Sequence, residues 1–438
     1  MRRPVSPPLV LVGLFTLAAP WSIAVAQGAV VLGALWVVWA ALRRQLPPFT
    51  VRWTHAAILL YLTLQAMSIP LGVDPGASLR AFRGSWVMLF PLVFWGLTIK
   101  DHARTRAIEI LVLSGALAGL YGAVQFVTGR EWFESTALEE VSGGGYLALG
   151  TLGHHLTYGG VLLPLWFVAL GLAADRRRTI WFVAAGAIGA GVLFSFARTA
   201  WVGLAAGLLV LGWHRGRRTF WLTVGGLSVA AVLAVVLVPT IGQRAASLLD
   251  IADRPRMRLW LTSLRIAAAH PWTGGGVGCF GPLFPEFQVP GTYLSTAHPH
   301  NDLLNALVDT GIPGALAWLS IWVAFFIDSR PRTPLWMPQA LRAAVASLLV
   351  AGLGQCYSTD EEVAQVWWFI VTVALAGVRA QASDLRRNSP SAGTAPGAAG
   401  PTPRAPSTRA RAAPRGRSPR SPAPRPPHPG GRPPVARG

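Results

Sequence analysis

Long apolar runs, separated by short polar connections, make up most of the chain. A helix needs about 20 predominantly apolar residues to cross the hydrocarbon core of a bilayer. Twelve runs come close to that length or exceed it, at residues 8–25, 27–42, 54–72, 80–99, 107–127, 146–174, 179–197, 199–213, 219–241, 302–327, 335–355 and 363–382. The pattern therefore predicts an all-α, polytopic membrane bundle of about twelve transmembrane helices.

The composition supports the same class of protein. Hydrophobic residues make up 52% of the 438 positions and charged residues only 13%, whereas soluble domains carry about 25% charged residues. The two cysteines, Cys279 and Cys356, are too few for a disulfide-dense scaffold or a cysteine-built zinc site.

The charges of the connections predict an orientation, because cytoplasmic connections are enriched in Lys and Arg. Every second connection is basic, and the short connections between them are acidic or nearly neutral. The basic set is Arg43, Arg44, Arg52, Lys100, Arg104, Arg106, Arg176, Arg177, Arg178, Arg215, Arg217, Arg218, Arg330 and Arg332, and the other set is Asp74, Glu131, Glu134, Glu139, Glu140, Asp360, Glu361 and Glu362. Both termini are predicted to be cytoplasmic. The segment 242–301 and both cysteines are predicted to lie outside, where a disulfide is allowed.

The first apolar run has two interpretations. Arg2, Arg3, an apolar core and the Ala-Val-Ala at 24–26 resemble a secretory signal with a small-residue cleavage site. A second apolar run follows at once, and this favours an uncleaved first helix. Neither interpretation changes the orientation of the later helices.

Half of the net charge of +20 lies at the C-terminal end. Residues 383–438 contain eleven Arg and one Asp, which gives +10, and are otherwise mostly Pro, Ala, Ser and Gly. Such a segment has too little apolar bulk to fold alone. We expect residues 1–382 to form the membrane domain. We expect the tail to be disordered in the cytoplasm, in contact with anionic membrane lipids and not with nucleic acid.

Arginines are unusually frequent on the predicted outer face. The segment 242–301 is the one long connection outside the membrane, and loops of this length are usually functional. Arg198, at the outer end of the run 179–197, needs a partner or a polar cavity unless it snorkels to the interface. An anionic ligand on this face would explain these arginines, which in the loop are Arg244, Arg254, Arg256, Arg258 and Arg265.

Histidines occur on the same predicted face. The stretch GTLGHHLTYGG (150–160) contains His155, and the stretch STAHPHNDLLNALVDTGIPG (295–314) contains His298 and His300. A neutral imidazole beside arginines suits deprotonation of a hydroxyl next to an anionic leaving group.

The residues that follow His300 have a structural interpretation as well. Asn301 and Asp302 are good N-cap residues for the helix predicted at 302–327.

These motifs, in this order, resemble the O-antigen ligase and polymerase superfamily. His300-Asn301, nine residues, Gly311, two residues and Gly314 resemble its H-N-x9-G-x-x-G signature. Three further stretches are similar to family elements: RLW (258–260) followed by PWTGGGVGCF (271–280), SFART around Arg198, and GTLGHHLTYGG, in which His155 or its neighbour replaces an asparagine. The resemblance is strongest over residues 145–327.

The resemblance implies a function in lipopolysaccharide biosynthesis. Such proteins transfer a glycan from an undecaprenyl-diphosphate carrier to an acceptor on the periplasmic face of the bacterial inner membrane. The acceptor is lipid A–core in ligases, a growing chain in polymerases and a protein Ser or Thr in O-oligosaccharyltransferases. The implied chemistry is inverting and needs neither metal nor other cofactor.

The resemblance also implies residue roles. His300 is expected to be the general base, with His298 as the second choice, and Arg198 and Arg258 are expected to bind the diphosphate, because guanidinium groups bind phosphate bidentately. Further expected substrate contacts are Arg254, Arg256, His155, His298 and Asn301. No metal ligands are expected.

Ligation to lipid A–core is the preferred function. Polymerases often carry two comparable outer loops, and the protein-modifying branch often has an extra soluble domain. A polysaccharide transporter, from a different class, would show internal repeats or paired broken helices at the midplane, and the sequence shows no such repeat.

Overall fold

The computed structural model describes residues 7–46, 49–98, 101–133, 137–141, 144–237, 255–291, 293, 297–331 and 335–388. The all-α prediction is confirmed over these ranges, which contain helices and no strand. The predicted tail lies outside the described residues from position 389 onward, and the last helix continues to Asn388.

The described part of the chain contains fifteen α-helices and one 3-10 helix. They are α1 Pro7–Ala18, α2 Ile23–Leu42, α3 Trp53–Leu71, α4 Pro75–Phe82, the 3-10 helix Arg83–Leu89, α5 Phe90–Thr98, α6 Asp101–Thr128, α7 His155–Arg176, α8 Thr179–Phe194, α9 Arg198–Arg215, α10 Arg217–Leu237, α11 Pro255–Ala269, α12 Phe280–Phe287, α13 Asp302–Asp328, α14 Trp336–Ala351 and α15 Glu361–Asn388.

The chain is a multi-pass membrane protein, but the predicted count of about twelve spans is not confirmed. Within the described ranges, five helices are long and apolar enough to cross a bilayer: Ile23–Leu42, Trp53–Leu71, His102–Thr128, His155–Arg176 and Asp302–Asp328. Three more apolar helices are shorter, at Pro7–Ala18, Thr179–Phe194 and Trp336–Ala351. The run 80–99 is divided among α4, the 3-10 helix and α5, which hydropathy alone does not reveal.

Close packing of α9 against α14 holds the start of α9 in place. A Cβ atom at Gly203 would lie 2.4 Å from the carbonyl oxygen of Ser347, and one at Gly207 would lie 3.0 Å from that of Ala343. Small residues spaced four apart let membrane helices approach in this way. The two glycines thus bring Arg198 and Thr199, at the start of α9, next to the loop that follows α14.

The helix α13 is broken at Gly311, whose φ of +68° and ψ of −169° are non-helical. Residues with a side chain rarely adopt this conformation, and a Cβ here would lie 2.7 Å from the carbonyl oxygen of Pro271. The same oxygen accepts a hydrogen bond from the Ile312 amide at 2.8 Å. The break therefore seats the loop that precedes α12 against α13.

The glycine-rich loop, residues 271–279, is held along α13 by hydrogen bonds of its backbone. The Gly275 amide donates to the carbonyl oxygen of Val308 at 2.7 Å, and the Val73 amide donates to that of Gly275 at 2.9 Å. The Gly278 amide donates to Oδ1 of Asp309 at 2.9 Å. The backbones of these segments lie so close together that there is no space for side chains, which explains the glycines of the PWTGGGVGCF sequence.

Both cysteines are buried and free. The disulfide that the predicted orientation allowed is therefore not formed between Cys279 and Cys356. The Cys279 sulfur instead lies 3.3 Å from the Ser78 hydroxyl.

Candidate functional site

A cavity of about 450 Å³ lies between His300 and the starts of α7, α9 and α11. We call it the His–Arg cavity. Its lining residues are Glu139, Glu140, Val141, Leu147, His154, His155, Leu156, Phe196, Arg198, Pro255, Arg256, Leu259 and His300. Four of the residues that the sequence singled out therefore share one cavity: His155, Arg198, Arg256 and His300.

A hydrogen bond to Gln355 orients the imidazole of His300. The ring Nδ1 lies 2.5 Å from Gln355 Oε1, and the Cys356 amide donates to the same oxygen at 3.3 Å. Because a backbone amide only donates, this atom is an acceptor, and Nδ1 must carry the proton. The other nitrogen, Nε2, then holds the free lone pair.

The environment keeps His300 neutral. Burial lowers the pKa of His300 below its usual value of 6.5, the hydrogen bond to Gln355 raises it, and the positive charge of Arg256 lowers it further. A neutral imidazole is the form that accepts a proton. The backbone of His300 is left-handed, with a φ of +51°, which is uncommon for a residue with a side chain.

His298 packs against His300, with ring centroids 4.2 Å apart. Its Nδ1 accepts a hydrogen bond from the His300 amide at 3.3 Å. Burial, followed by repulsion from His300 when that ring is protonated, lowers the pKa of His298 to about 4. His298 does not line the His–Arg cavity. It is therefore placed behind the base, and it faces a second cavity.

Arg198 and Arg256 supply the positive charge of the His–Arg cavity. Burial lowers the pKa of Arg256, and the charge of Arg198 lowers it further. Within the part of the chain that the structure describes, neither guanidinium forms a salt bridge, although Glu139 and Glu140 also line the cavity. Two neighbouring cations without an ion-pair partner repel each other, and an anion between them would remove this cost.

Arg258 is not brought into the cavity. Successive residues of an α-helix are about 100° apart, so Arg256 and Arg258 point to opposite sides of α11. The guanidinium of Arg258 lies against Gly291, where a Cβ would be 2.3 Å from its Cζ. The structure thus places Arg198 and Arg256, both expected substrate contacts, in one cavity, and the expected role of Arg258 at the diphosphate remains a prediction. Arg254 lies outside the described residues.

Residues 182–319 match a family model described as O-antigen ligase. Over this stretch the chain is similar to O-antigen ligase. No curated protein matches the chain. The matched segment begins in α8 and ends in α13, so it includes Arg198, Arg256, Arg258, His298 and His300. The resemblance drawn from the sequence motifs is confirmed at the level of this superfamily.

His155 anchors one wall of the His–Arg cavity. As the first residue of α7, it lines the cavity beside Arg198. Its Nδ1 lies 2.8 Å from the carbonyl oxygen of Ser195, in the turn that leads into α9. The ring therefore connects α7 to that turn, and the expected contact of His155 with the substrate remains a prediction.

Asn301 has a structural role at the start of α13. Its Oδ1 accepts a hydrogen bond from the Leu304 amide at 3.0 Å, which caps α13, and its Nδ2 donates to the carbonyl oxygen of Leu353 at 2.9 Å. Asn301 does not line the His–Arg cavity, so the structure gives no support for the expected substrate contact. Its side chain instead fixes the backbone next to His300.

Asp302 forms hydrogen bonds with the loop between α14 and α15. It is the first residue of α13 and not its N-cap, which is Asn301. Both the amide and the hydroxyl of Ser358 donate to Asp302 Oδ1, at 2.9 and 2.5 Å. The loop between α14 and α15 is therefore held against the histidine segment.

Gln355 and Tyr357 were not predicted as site residues from the sequence. Both lie in the polar stretch GQCYSTDEE (354–362), which follows an apolar run on the predicted outer face. The Tyr357 hydroxyl lies 3.2 Å from that of Thr199 and ties this loop to the start of α9. The feature of the sequence that indicates these two residues is the cluster of uncharged polar residues next to the acidic ones.

No group of three or more His, Cys, Asp and Glu side chains is arranged to hold a metal ion in the described ranges. The site offers a neutral base and two cations instead. The expectation that the chemistry needs no metal remains a prediction.

Proposed function

We propose that this protein is a membrane glycosyltransferase that transfers a glycan from undecaprenyl diphosphate to the hydroxyl of an acceptor, with lipid A–core as that acceptor. The observation that carries the proposal is the shared cavity of His300, Arg198 and Arg256. The O-antigen ligase match over residues 182–319 supports the same class of reaction.

In the proposed reaction, His300 is the base that activates the acceptor hydroxyl, and the diphosphate is the leaving group. Nε2 of His300 removes the proton of the acceptor hydroxyl while its oxygen bonds to the anomeric carbon. The bond from that carbon to the diphosphate oxygen breaks, and its electron pair leaves with the diphosphate. Attack from the face opposite the leaving group inverts the anomeric configuration.

The two guanidiniums bind the departing diphosphate. Arg–phosphate pairs are bidentate and stay charged at any pH of interest, so they stabilise the negative charge that grows as the bond breaks. The repulsion between Arg256 and Arg198, which lowers the Arg256 pKa, is relieved when the anion lies between them.

We further propose that the domain lies in the bacterial inner membrane, with both termini cytoplasmic and the His–Arg cavity open to the periplasm. The alternating charge of the connections supports this orientation. The other acceptors of the superfamily, a growing glycan chain and a protein Ser or Thr, would use the same base and the same arginines.

A reconstitution experiment tests the proposal. Purified full-length protein is incubated with a labelled undecaprenyl-diphosphate-linked glycan and, separately, with lipid A–core, a second carrier-linked glycan and a Ser/Thr-containing peptide. Label is expected on lipid A–core. Label on the second glycan or the peptide would reassign the acceptor, and label on none of them would refute the proposed transfer.

The pH dependence tests the role of Gln355. Only neutral imidazole accepts a proton, and the pKa of His300 is lowered, so the transfer rate should rise with pH through a limb that lies below pH 6.5. In Gln355→Glu a carboxylate stabilises the imidazolium, and the limb should move to higher pH. Rates measured across the pH range check this.

The exposed Gln288 does not line the His–Arg cavity and supplies the matched control. Gln288→Glu should leave the acidic limb where it is. An unchanged limb in Gln355→Glu would show that the hydrogen bond to Gln355 does not govern the catalytic base.

Chelation tests the metal-free mechanism. Transfer by the purified protein should continue in excess EDTA, because the proposed charge neutralisation comes from guanidiniums alone. Inhibition by EDTA that only an added divalent cation reverses would contradict this mechanism.

A further inference from the structure

A second cavity, of about 340 Å³, meets the His–Arg cavity at the histidine pair. His300 lines the first cavity and His298 lines the second, and their ring centroids are 4.2 Å apart. The second cavity lies between α3, the 3-10 helix, the glycine-rich loop, α13 and the start of α15. A molecule held in it would therefore approach the base from a different direction than the diphosphate.

The chemistry of the second cavity differs from that of the first. Its polar lining contains one guanidinium, Arg80, and the imidazole of His298, and otherwise consists of amides, hydroxyls and carboxylates, which include Gln65, Asn305, Asp309, Ser358, Thr359 and Glu361. The two acidic residues, Asp309 and Glu361, outnumber Arg80 and make this cavity a poorer site for a diphosphate than the His–Arg cavity, whereas carboxylates and amides accept hydrogen bonds from hydroxyl groups. The lining thus suits a ligand that is rich in hydroxyls.

Two buried side chains in this cavity have unused capacity to accept hydrogen bonds. Gln65 is 4% exposed, and within the described residues its Oε1 has no hydrogen-bond partner. Asp309 is 2% exposed and accepts one bond at each oxygen, from the Gly278 amide at 2.9 Å and from Asn305 Nδ2 at 2.8 Å. A carboxylate has about four acceptor positions, so two remain. Buried acceptors without donors are unfavourable, and ligand hydroxyls would satisfy them.

We propose that the second cavity binds the sugar of the acceptor and directs its hydroxyl past His298 to Nε2 of His300. This inference rests on the proposed function and assigns the two substrates to separate cavities, the donor diphosphate to the His–Arg cavity and the acceptor sugar to the cavity around Gln65. His298 forms the wall between them and is a positioning residue.

Steady-state kinetics of Gln65→Leu test this assignment, with an undecaprenyl-diphosphate-linked glycan as donor and lipid A–core as acceptor. The acceptor KM should rise about 3- to 10-fold, which corresponds to one lost hydrogen bond, and kcat should change little. Because the Gln65 side chain also forms a hydrogen bond with the Tyr61 side chain, a purely structural role predicts a lower melting temperature with an unchanged acceptor KM.

Filling the cavity gives an independent test. A Cβ at Gly84 would meet its nearest neighbour, Glu361 Oε1, at 3.6 Å, so Gly84→Met fits locally and its side chain enters the cavity. The acceptor KM should rise by roughly 10-fold or more, as for steric exclusion from a shaped pocket. Gly225→Met on α10 is the matched control, since no atom lies within 4 Å of its Cβ position.

The outcomes separate this inference from the proposed function. A raised acceptor KM in both Gln65→Leu and Gly84→Met, with an unchanged donor KM, supports the second cavity as the acceptor site. An unchanged acceptor KM, or a raised donor KM, overturns it while His300-dependent transfer still stands. Wild-type protein that transfers to none of the acceptors would refute both. Melting temperatures confirm that each variant is folded.

Discussion

Replacing His300 by alanine is expected to lower the rate of glycan transfer by about 10²- to 10⁴-fold, the usual contribution of a positioned general base. The imidazole lines the His–Arg cavity, and its Nδ1–H points to Gln355, so Nε2 is the nitrogen that meets the acceptor hydroxyl. The donor KM should change little, because the diphosphate is held by the arginines. Single-turnover transfer in purified protein measures the effect.

The exposed His102 on α6 serves as the control. His102→Ala should transfer at the wild-type rate, and His300→Ala should insert into membranes in the same amount. Wild-type transfer by His300→Ala would move the base to another residue. His298 would be the first to test, since its ring packs directly against His300.

The second large effect is expected at Arg256. Arg256→Ala should lower transfer by about 10²- to 10³-fold, similar to the loss of one donor that stabilises a developing anion. Arg256→Lys should recover only part of the rate, because an ammonium lacks the bidentate geometry of a guanidinium. Transfer kinetics and the donor KM of both variants provide the measurement.

Arg258 offers a matched control two residues away on the same helix. Its guanidinium packs against Gly291 and not in the cavity. Arg258→Ala should therefore lower the transfer rate much less than Arg256→Ala does. Equal losses in the two variants, with both proteins stably folded, would restore the sequence-based expectation that Arg258 binds the diphosphate.

The contrast between these arginines shows where sequence reasoning reaches its limit. An arginine-rich helix in an outer loop is visible in the letters RPRMRLW (254–260). Which arginine faces a cavity depends on how α11 is rotated about its axis. That rotation is set by side chains packed against neighbouring segments, among them Leu259 and Ile266, which are 1% and 0% exposed.

The span count shows the same limit for the fold. Hydropathy correctly predicts apolar helices, yet it treats 80–99 as one span where the structure has two helices and a 3-10 segment. It also does not reveal the break at Gly311, which requires the loop carbonyl of Pro271 in contact with α13. Each of these features depends on contacts between segments distant in the chain.

The sequence by itself determined that this is an all-helical membrane protein, and its motifs determined the superfamily, since both depend on composition and short-range order along the chain. Only the tertiary structure decided that Arg256 joins Arg198 and that Gln355 orients His300. Gln355 is 55 residues from His300 in the chain, and the ties from Asn301 to Leu353 and from Asp302 to Ser358 bring the two segments together. A convergence of this kind depends on how the segments pack, and no local pattern of residues encodes it.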